Sequence, residues 1–261
     1  MRSLSIGSTG MLAQQLNVEV ISNNIANMNT TAYQRRRAEF QDLLYQNQRR
    51  VGAESSDAAT IVPAGVQVGL GVKTAAVYRI TEQGNLTLTE NPLDLAINGK
   101  GYFQITLPNG ETAYSRAGAF QLDGQGDIVT VDGYTVQPGI TVPNDAIDIT
   151  INASGQVFAS IEGQVAQQNL GQLELSRFPN EAGLLAVGDN LFLETPASGA
   201  AQTAVPGTEG YGAIQQGFLE TSNVNVVEEI TNLITAQRAY EMNSKVIETS
   251  DQMMATMTNL R

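Results

Sequence analysis

The sequence predicts an α+β protein in which long N- and C-terminal helices pair as a coiled-coil-like domain, with an inserted all-β body and an extended arm between them. Three observations predict it. From Glu220 to Arg261, apolar or small residues recur at steps of three and four through Val226, Ile230, Leu233, Tyr240, Ile247, Met254 and Met257, the stripe of a helix packed along its length. Near the start, Leu4, Met11, Val18 and Ile25 repeat every seven residues, with Ile21 and Met28 on the same seam. Between these ends lie many short β-type runs separated by Asn-Gly and Asp-Gly pairs. Each terminal stripe needs a partner, so the two ends are expected side by side.

Taken in order, the first helix is expected from Ser3 or Ser8 to about Asn27, ending in the polar cluster Asn27–Ala32. Asn23, Asn24 and Asn27 fall near one seam, where polar side chains fix register at a cost in stability. Tyr33 to Tyr45 continues as helix or as an extended piece, which closes a terminal segment over residues 1–45. From Gln46 to Pro63 no period is visible, so residues 46–75 are assigned to an arm, with strands or a long hairpin in Val66–Arg79 around Gly69 and Gly71. The arm residues Arg49, Arg50, Val51, Ser55 and Ser56 are placed to reach a neighbouring copy.

Residues 76–218 form the body. Strands are expected at Leu95–Ile97, Tyr102–Leu107, Thr112–Arg116, Phe120–Leu122, Ile128–Val131 and Tyr134–Gln137. Asn98-Gly99, Asn109-Gly110, Ala117-Gly118, Asp123-Gly124 and Asp132-Gly133 divide them. A second set covers Ile147–Ile151, Val157–Ile161 and Leu170–Phe178. The last segment, residues 219–261, is the C-terminal helix.

Composition removes most chemistry. No Cys and no His occur in the 261 residues, which excludes thiol nucleophiles, imidazole bases and nearly every zinc or copper site. The absence of Trp leaves few anchors for a small-molecule pocket. A net charge of −12 argues against nucleic acid as a partner. That charge is uneven: Arg2, Arg35, Arg36, Arg37, Arg49 and Arg50 against Glu19, Glu39 and Asp42 give residues 1–50 a net +3, and the remainder carries −15. A basic N-terminal segment and an acidic body can attract each other between copies, although a solvated basic patch explains the same charges. No apolar run is long enough to cross a bilayer, and Ser3–Glu19 lacks the uninterrupted apolar stretch of a cleaved leader.

The motifs that resemble catalytic or binding chemistry have plainer explanations. Gly99-Lys100-Gly101 lacks the spacing of a phosphate loop and fits a hairpin turn. Asp123-Gly124-Gln125-Gly126-Asp127 begins like a calcium loop, but Ile128 and Tyr134 stand where glycine and glutamate are required. Asp145 with Asp148, and Glu228 with Glu229, are paired carboxylates in a chain rich in them; the latter pair complements a helix dipole. Tyr240, Met253, Met254 and Met257 fit an interface better than a cofactor site. The expectation is a non-enzyme without catalytic, cofactor-binding or metal residues. Its assembly interface would be built from Leu4, Met11, Val18, Ile21, Ile25, Val226, Ile230, Leu233, Tyr240, Ile247 and Met254.

Several runs resemble a known family. Ile21–Tyr33 (ISNNIANMNTTAY) after Gly10-Met11-Leu12-Ala13, and the tail Thr221–Met254, are similar to the ends of the bacterial flagellar rod and hook family. Asp94–Phe103 (DLAINGKGYF) and Tyr114–Phe120 (YSRAGAF) resemble its central domain, so the likeness covers almost the whole chain. The length, Asp42–Gln46 and Pro63–Gly69 point to the distal-rod branch, since hook members carry a further outer domain. The resemblance implies a structural subunit polymerised into a stiff helical tube that transmits torque across the periplasm. It further implies partners among the proximal rod proteins, the hook protein and the L- and P-ring bushing, and type III export without a cleaved signal peptide. The alternatives are a proximal-rod paralogue or, in a different class, a secreted β-rich binding module or carboxylate hydrolase with helical ends as a stalk.

Overall fold

The computed structural model describes residues 2–49, 65–162 and 166–259, which fall into two compact units. The first takes Met1–Ala26, Arg36–Tyr78 and Asn225–Arg261, and the second takes Asn27–Arg35 and Arg79–Val224.

In the first unit, helix α1 runs Arg2–Ala26 and helix α2 runs Val226–Asn259. The second helix starts later than Glu220 because Asn225 caps it, its Oδ1 accepting from the Val227 amide at 3.2 Å and the Glu228 amide at 3.5 Å. No helix continues to Tyr45. Instead β1 (Arg36–Asp42) pairs with β4 (Val72–Arg79), and β2 (Tyr45–Arg49) pairs antiparallel with β3 (Val66–Gly69). The hairpin expected within Val66–Arg79 is therefore one side of a ribbon whose other side is residues 36–49. Bonds from Leu43 N–H to Gly71 O at 2.8 Å and from Leu70 N–H to Leu44 O at 3.2 Å carry the pairing from one strand pair to the next. Gly71, at φ +125°, is required there: a Cβ would stand 2.2 Å from Thr9 Oγ1 on α1. Across the ribbon the Tyr78 hydroxyl and the Arg37 guanidinium hold the Glu39 carboxylate below its usual range.

The second unit is all β, as expected from its turn spacing. It opens with β5 (Leu86–Leu88) and β6 (Leu95–Asn98), followed by β7 (Tyr102–Thr106), β8 (Thr112–Ser115), β9 (Phe120–Leu122), β10 (Ile128–Thr130) and β11 (Thr135–Val136). A meander of β12 (Ala146–Ile151), β13 (Gln156–Ile161) and β14 (Gln168–Gln172) comes next. Then follow β15 (Leu175–Arg177), β16 (Leu185–Gly188), β17 (Leu191–Leu193), β18 (Gln202–Ala204), β19 (Ala213–Gln216) and β20 (Phe218–Glu220). The largest sheet has the order β16-β17-β8-β7-β11-β10-β9, with β15 and β18 branching from β7. Strand β19 closes on β6, and β20 on β5.

Gly99, Gly110 and Gly133 take the positive φ that the turn pairs predict. In Asp123–Asp127, however, Gly126 takes it rather than Gly124, and Asp123 Oδ1 accepts from the amides of Asp127 at 2.9 Å and Gln125 at 2.8 Å. Those amides, Asp127 first, hold the Asp123 carboxylate below its usual range, so the loop is closed by its own backbone.

The main core gathers Leu95, Ile97, Phe103, Phe120, Ile128, Val157, Leu175 and Ile214. Beside it, Tyr102 stacks edge-on against Phe178 and Phe192. Arg116 is the polar centre of this unit. Its guanidinium donates to the carbonyls of Gly101 at 2.9 Å, Gly99 at 2.6 Å and Ile97 at 3.3 Å, and pairs with Glu220 at 2.7 Å. Glu220 in turn accepts from the Gly84 amide at 3.0 Å. The Gly99-Lys100-Gly101 turn thus turns carbonyls toward a cation of the same chain, the opposite of the N–H cradle a phosphate needs.

Removing this cation leaves a buried carboxylate unpaired. Arg116→Met is expected to lower the stability of the body by about 3–5 kcal/mol in chemical denaturation. Lys at the same position should recover only part of the loss, because it lacks the planar fork. A second expectation concerns Tyr102, which is 1% exposed and whose hydroxyl burial pushes up to about 12. The folded state holds the phenolic proton more tightly than the unfolded chain does, so stability is intact below pH 10 and falls as pH rises from 10 toward 12. The loss over that interval is about 3 kcal/mol. Denaturation curves across it should show a slope that Tyr102→Phe removes.

Candidate assembly interface

The two terminal helices pack antiparallel, and small and polar residues share the contact with larger apolar ones such as Ile21 and Ile247. A Cβ at Gly7 would lie 2.9 Å from Ile247 Cγ1, and one at Gly10 would lie 2.9 Å from Asn243 Nδ2. Ala13 on α1 and Ala236 and Ser250 on α2 are likewise buried. Small residues permit this approach, since any longer side chain at Gly7 or Gly10 would push the helices apart.

At the far end of the pair Asn24 is 1% exposed, and its side chain ties three groups together. Its Nδ2 donates to the Arg36 carbonyl at 2.8 Å and to Glu229 Oε2 at 3.2 Å, and its Oδ1 accepts from the Arg36 amide at 2.9 Å. One side-chain amide thereby pairs with β1 as a neighbouring strand would, while holding α2. Glu229 is 5% exposed, so it is a buried partner of Asn24 and not the surface charge that its place in the first helical turn suggests. Asn24 stands in the Asn-rich run singled out from the sequence, although its partners did not follow from spacing.

The expected interface residues divide between the two sides of this pair. Ile21 is buried, and Leu4, Met11, Val18, Ile25, Val226, Leu233, Ile247 and Met254 are half-buried. Ile230 and Tyr240 are exposed, at 45% and 44%, and stand outside the helix–helix contact. Along α2 the inward positions are Val226, Glu229, Leu233, Ala236, Ala239, Asn243, Ile247, Ser250 and Met254, a spacing of three and four. Outside this seam lie large apolar side chains that the helical period alone did not separate from it. Val227 at 75%, Ile230 and Ile234 flank the seam beside Val226 and Leu233. Met242 at 64%, Val246 and Met253 flank it beside Asn243 and Ser250. The side chains of Arg49 and Met257, and residues Arg50, Val51, Ser55 and Ser56, lie outside the described residues.

Of the remaining carboxylate pairs, Asp145 and Asp148 lie on and beside the exposed end of β12, with the Asp148 side chain accepting from the Ile149 amide at 2.9 Å. A concavity of about 370 Å³ in the body is lined by Asn29, Thr30, Ser115, Asp132, Asp189 and Asn190 among others, without any catalytic pairing. Among the described residues, no helix is long and apolar enough to cross a membrane.

Three family models match, one for each part of the chain. Residues 4–34 match the flagella basal body rod protein family, residues 96–159 the flagellar hook protein FlgE/F/G D1 domain, and residues 215–260 the flagellar basal body rod FlgEFG protein C-terminal domain. The chain is 63% identical over its whole length to the flagellar basal-body rod protein FlgG of Caulobacter vibrioides, covering all of that protein. It is 57% identical to the FlgG of Agrobacterium fabrum, over 99% of this chain and 98% of that one. It is 40% identical to the FlgG of Bacillus subtilis, over 100% and 99% respectively. Identity this high and this complete, over helical ends and β body alike, shows that the chain belongs to the FlgG family of flagellar basal-body rod proteins.

Proposed function

We propose that this chain is a structural subunit of the distal rod of the bacterial flagellum and that its copies polymerise into a stiff helical tube that transmits torque from motor to hook. The observation that carries this reading is the pair of apolar flanks on α2. Val227, Ile230 and Ile234 lie on one side of the seam and Met242, Val246 and Met253 on the other, so α1 covers neither. A two-helix pair with apolar surface on both sides is completed by further helices, in coiled-coil packing. The flanks differ in sequence and position, so one copy presents two unlike surfaces. Contacts between unlike surfaces are heterologous and propagate into an open helix.

In this reading Leu4, Met11, Val18, Ile25, Val226, Leu233, Tyr240, Ile247 and Met254 form the remainder of the interface, around the buried Ile21. The arm assigned to residues 46–75 reaches a neighbouring copy, where Arg49 and Arg50 meet its acidic body. Each added contact restricts bending of the tube. The partners are the proximal rod proteins below, the hook protein above and the L- and P-ring bushing outside. The chain works in the basal body across the periplasm. It needs no cofactor, substrate or nucleic acid for this role.

Electron microscopy of the purified protein at high concentration tests the reading: tubes are expected, and monomers that persist at every concentration up to the solubility limit would refute it. Ile230→Asp or Val246→Asp should abolish tubes, because assembly would bury an unpaired carboxylate, while the melting of the β body stays within about 0.5 kcal/mol of the parent. Glu209→Lys, at an exposed site, serves as the control and should assemble normally. Deleting residues 51–62 should leave tubes that form but curve. Straight tubes of unchanged persistence length would reduce the arm to a linker.

A further inference from the structure

The chain passes between the two units at four points, and at three of them, after Arg35, before Arg79 and after Val224, the adjoining stretches of the second unit come together. All three meet at two side chains. Asn223 Oδ1 accepts from the Arg35 amide at 2.7 Å, and its Nδ2 donates to the carbonyls of Ile80 and Glu82, each at 2.9 Å. Its own amide donates to Tyr33 O at 3.3 Å, and the Ile80 amide donates to Arg35 O at 2.9 Å. Three residues earlier, Glu220 accepts from the Ala32 amide through its backbone carbonyl at 2.8 Å and from the Gly84 amide through its carboxylate at 3.0 Å. That carboxylate is anchored in the body by Arg116. Backbone crowding adds to this: a Cβ at Gly84 would lie 1.9 Å from Thr221 O, so the segments touch without intervening side chains.

We infer that Glu220 and Asn223 form a clasp that defines the end of the β body. It joins residues 32–35, 80–84 and 220–223 to the body as one cooperative piece, which remains folded when the terminal helices do not. The side-chain amide of Asn223 suits this because it offers both an acceptor and two donors, and here it uses them on two different segments. At three of the four crossings the chain leaves the body within a residue or two of the clasp, the fourth being at Asn27. Force carried along the backbone at those three crossings reaches the body at Asn223, where three hydrogen-bonded segments share it. This inference goes beyond the rod reading and does not depend on polymerisation.

Amide hydrogen exchange on the full-length monomer tests it. Ala32, Arg35, Ile80, Thr221 and Asn223 are expected to be protected as strongly as Ile105 in the core, and the amides of α1 to exchange much faster. Asn223→Ala should accelerate exchange at Arg35 and Ile80 by about tenfold or more, the worth of one or two lost hydrogen bonds. Asn223→Asp keeps the acceptor and removes the donors, so it should give an intermediate effect and serves if the alanine variant does not fold. Clasp amides that exchange as fast as α1 in the parent overturn the inference. So does protection of α1 equal to that of the clasp, or unchanged rates at Arg35 and Ile80 in the variants.

Discussion

The buried Arg116 guanidinium is the interaction on which the β body depends. It gathers the carbonyls of Ile97, Gly99 and Gly101 and the carboxylate of Glu220, which themselves belong to the start of the body and to its last strand. Burying an ion pair costs desolvation on both sides, so the pair is not a store of stability in itself. Its value lies in specification. An apolar residue of the same volume would fill the space without dictating which turn and which strand end must meet there. Gly118 enforces the same arrangement sterically, since a Cβ there would lie 1.7 Å from the Leu95 carbonyl. Two runs noticed in the sequence, NGKGYF and YSRAGAF, are thus the two halves of one internal contact.

The strands were legible because period-two alternation and turn chemistry are local. Tyr102–Thr106, Thr112–Ser115, Phe120–Leu122 and Ile128–Thr130 fall within a residue of where the turns place them. The run Leu170–Phe178 was not legible as two strands. It breaks after the Leu173 amide donates to Gly155 O at 2.8 Å, which ends the pairing with β13, and from Leu175 the chain pairs with β7 and β18, partners that no local pattern identifies. The helices were legible as helices, and Ile21, Val226, Leu233, Ile247 and Met254 of the expected stripe do lie on the inward side. Hydrophobic period does not point to the small residues Gly7, Gly10, Ala13, Ala236 and Ser250, which stand between them and set how closely the helices approach. Ile230 and Tyr240 share the helical spacing of the seam residues but lie on its outer side.

Polar groups with distant partners were the least legible of all. Glu229 sits in the first turn of α2, where a carboxylate is ordinarily explained by the helix dipole. Its bond to Asn24 spans 205 positions of chain. Asn223 is similar: in sequence it is one polar residue in a capping region, and only the fold brings Arg35 and Ile80 to it. Such residues are the places where chain ends far apart in sequence are made neighbours, so local pattern cannot carry the information.

The division between a small-residue seam and apolar flanks has an energetic consequence. Fully burying a large apolar side chain contributes about 1.5–3 kcal/mol, and less where it is already half covered. The three residues on either flank of α2 can therefore contribute only several kcal/mol, which is comparable to the cost of associating two molecules, roughly 4–15 kcal/mol. A contact through one flank would not hold a pair of copies together in dilute solution. In the proposed tube, a copy engaged through both flanks, with the ribbon adding a further surface, passes that threshold without losing more freedom of translation. Association is then weak for the first few copies and strong for each copy added to an existing assembly. That is the behaviour of a nucleated polymer, and it follows from leaving Val227, Ile230, Ile234, Met242, Val246 and Met253 outside the helix pair.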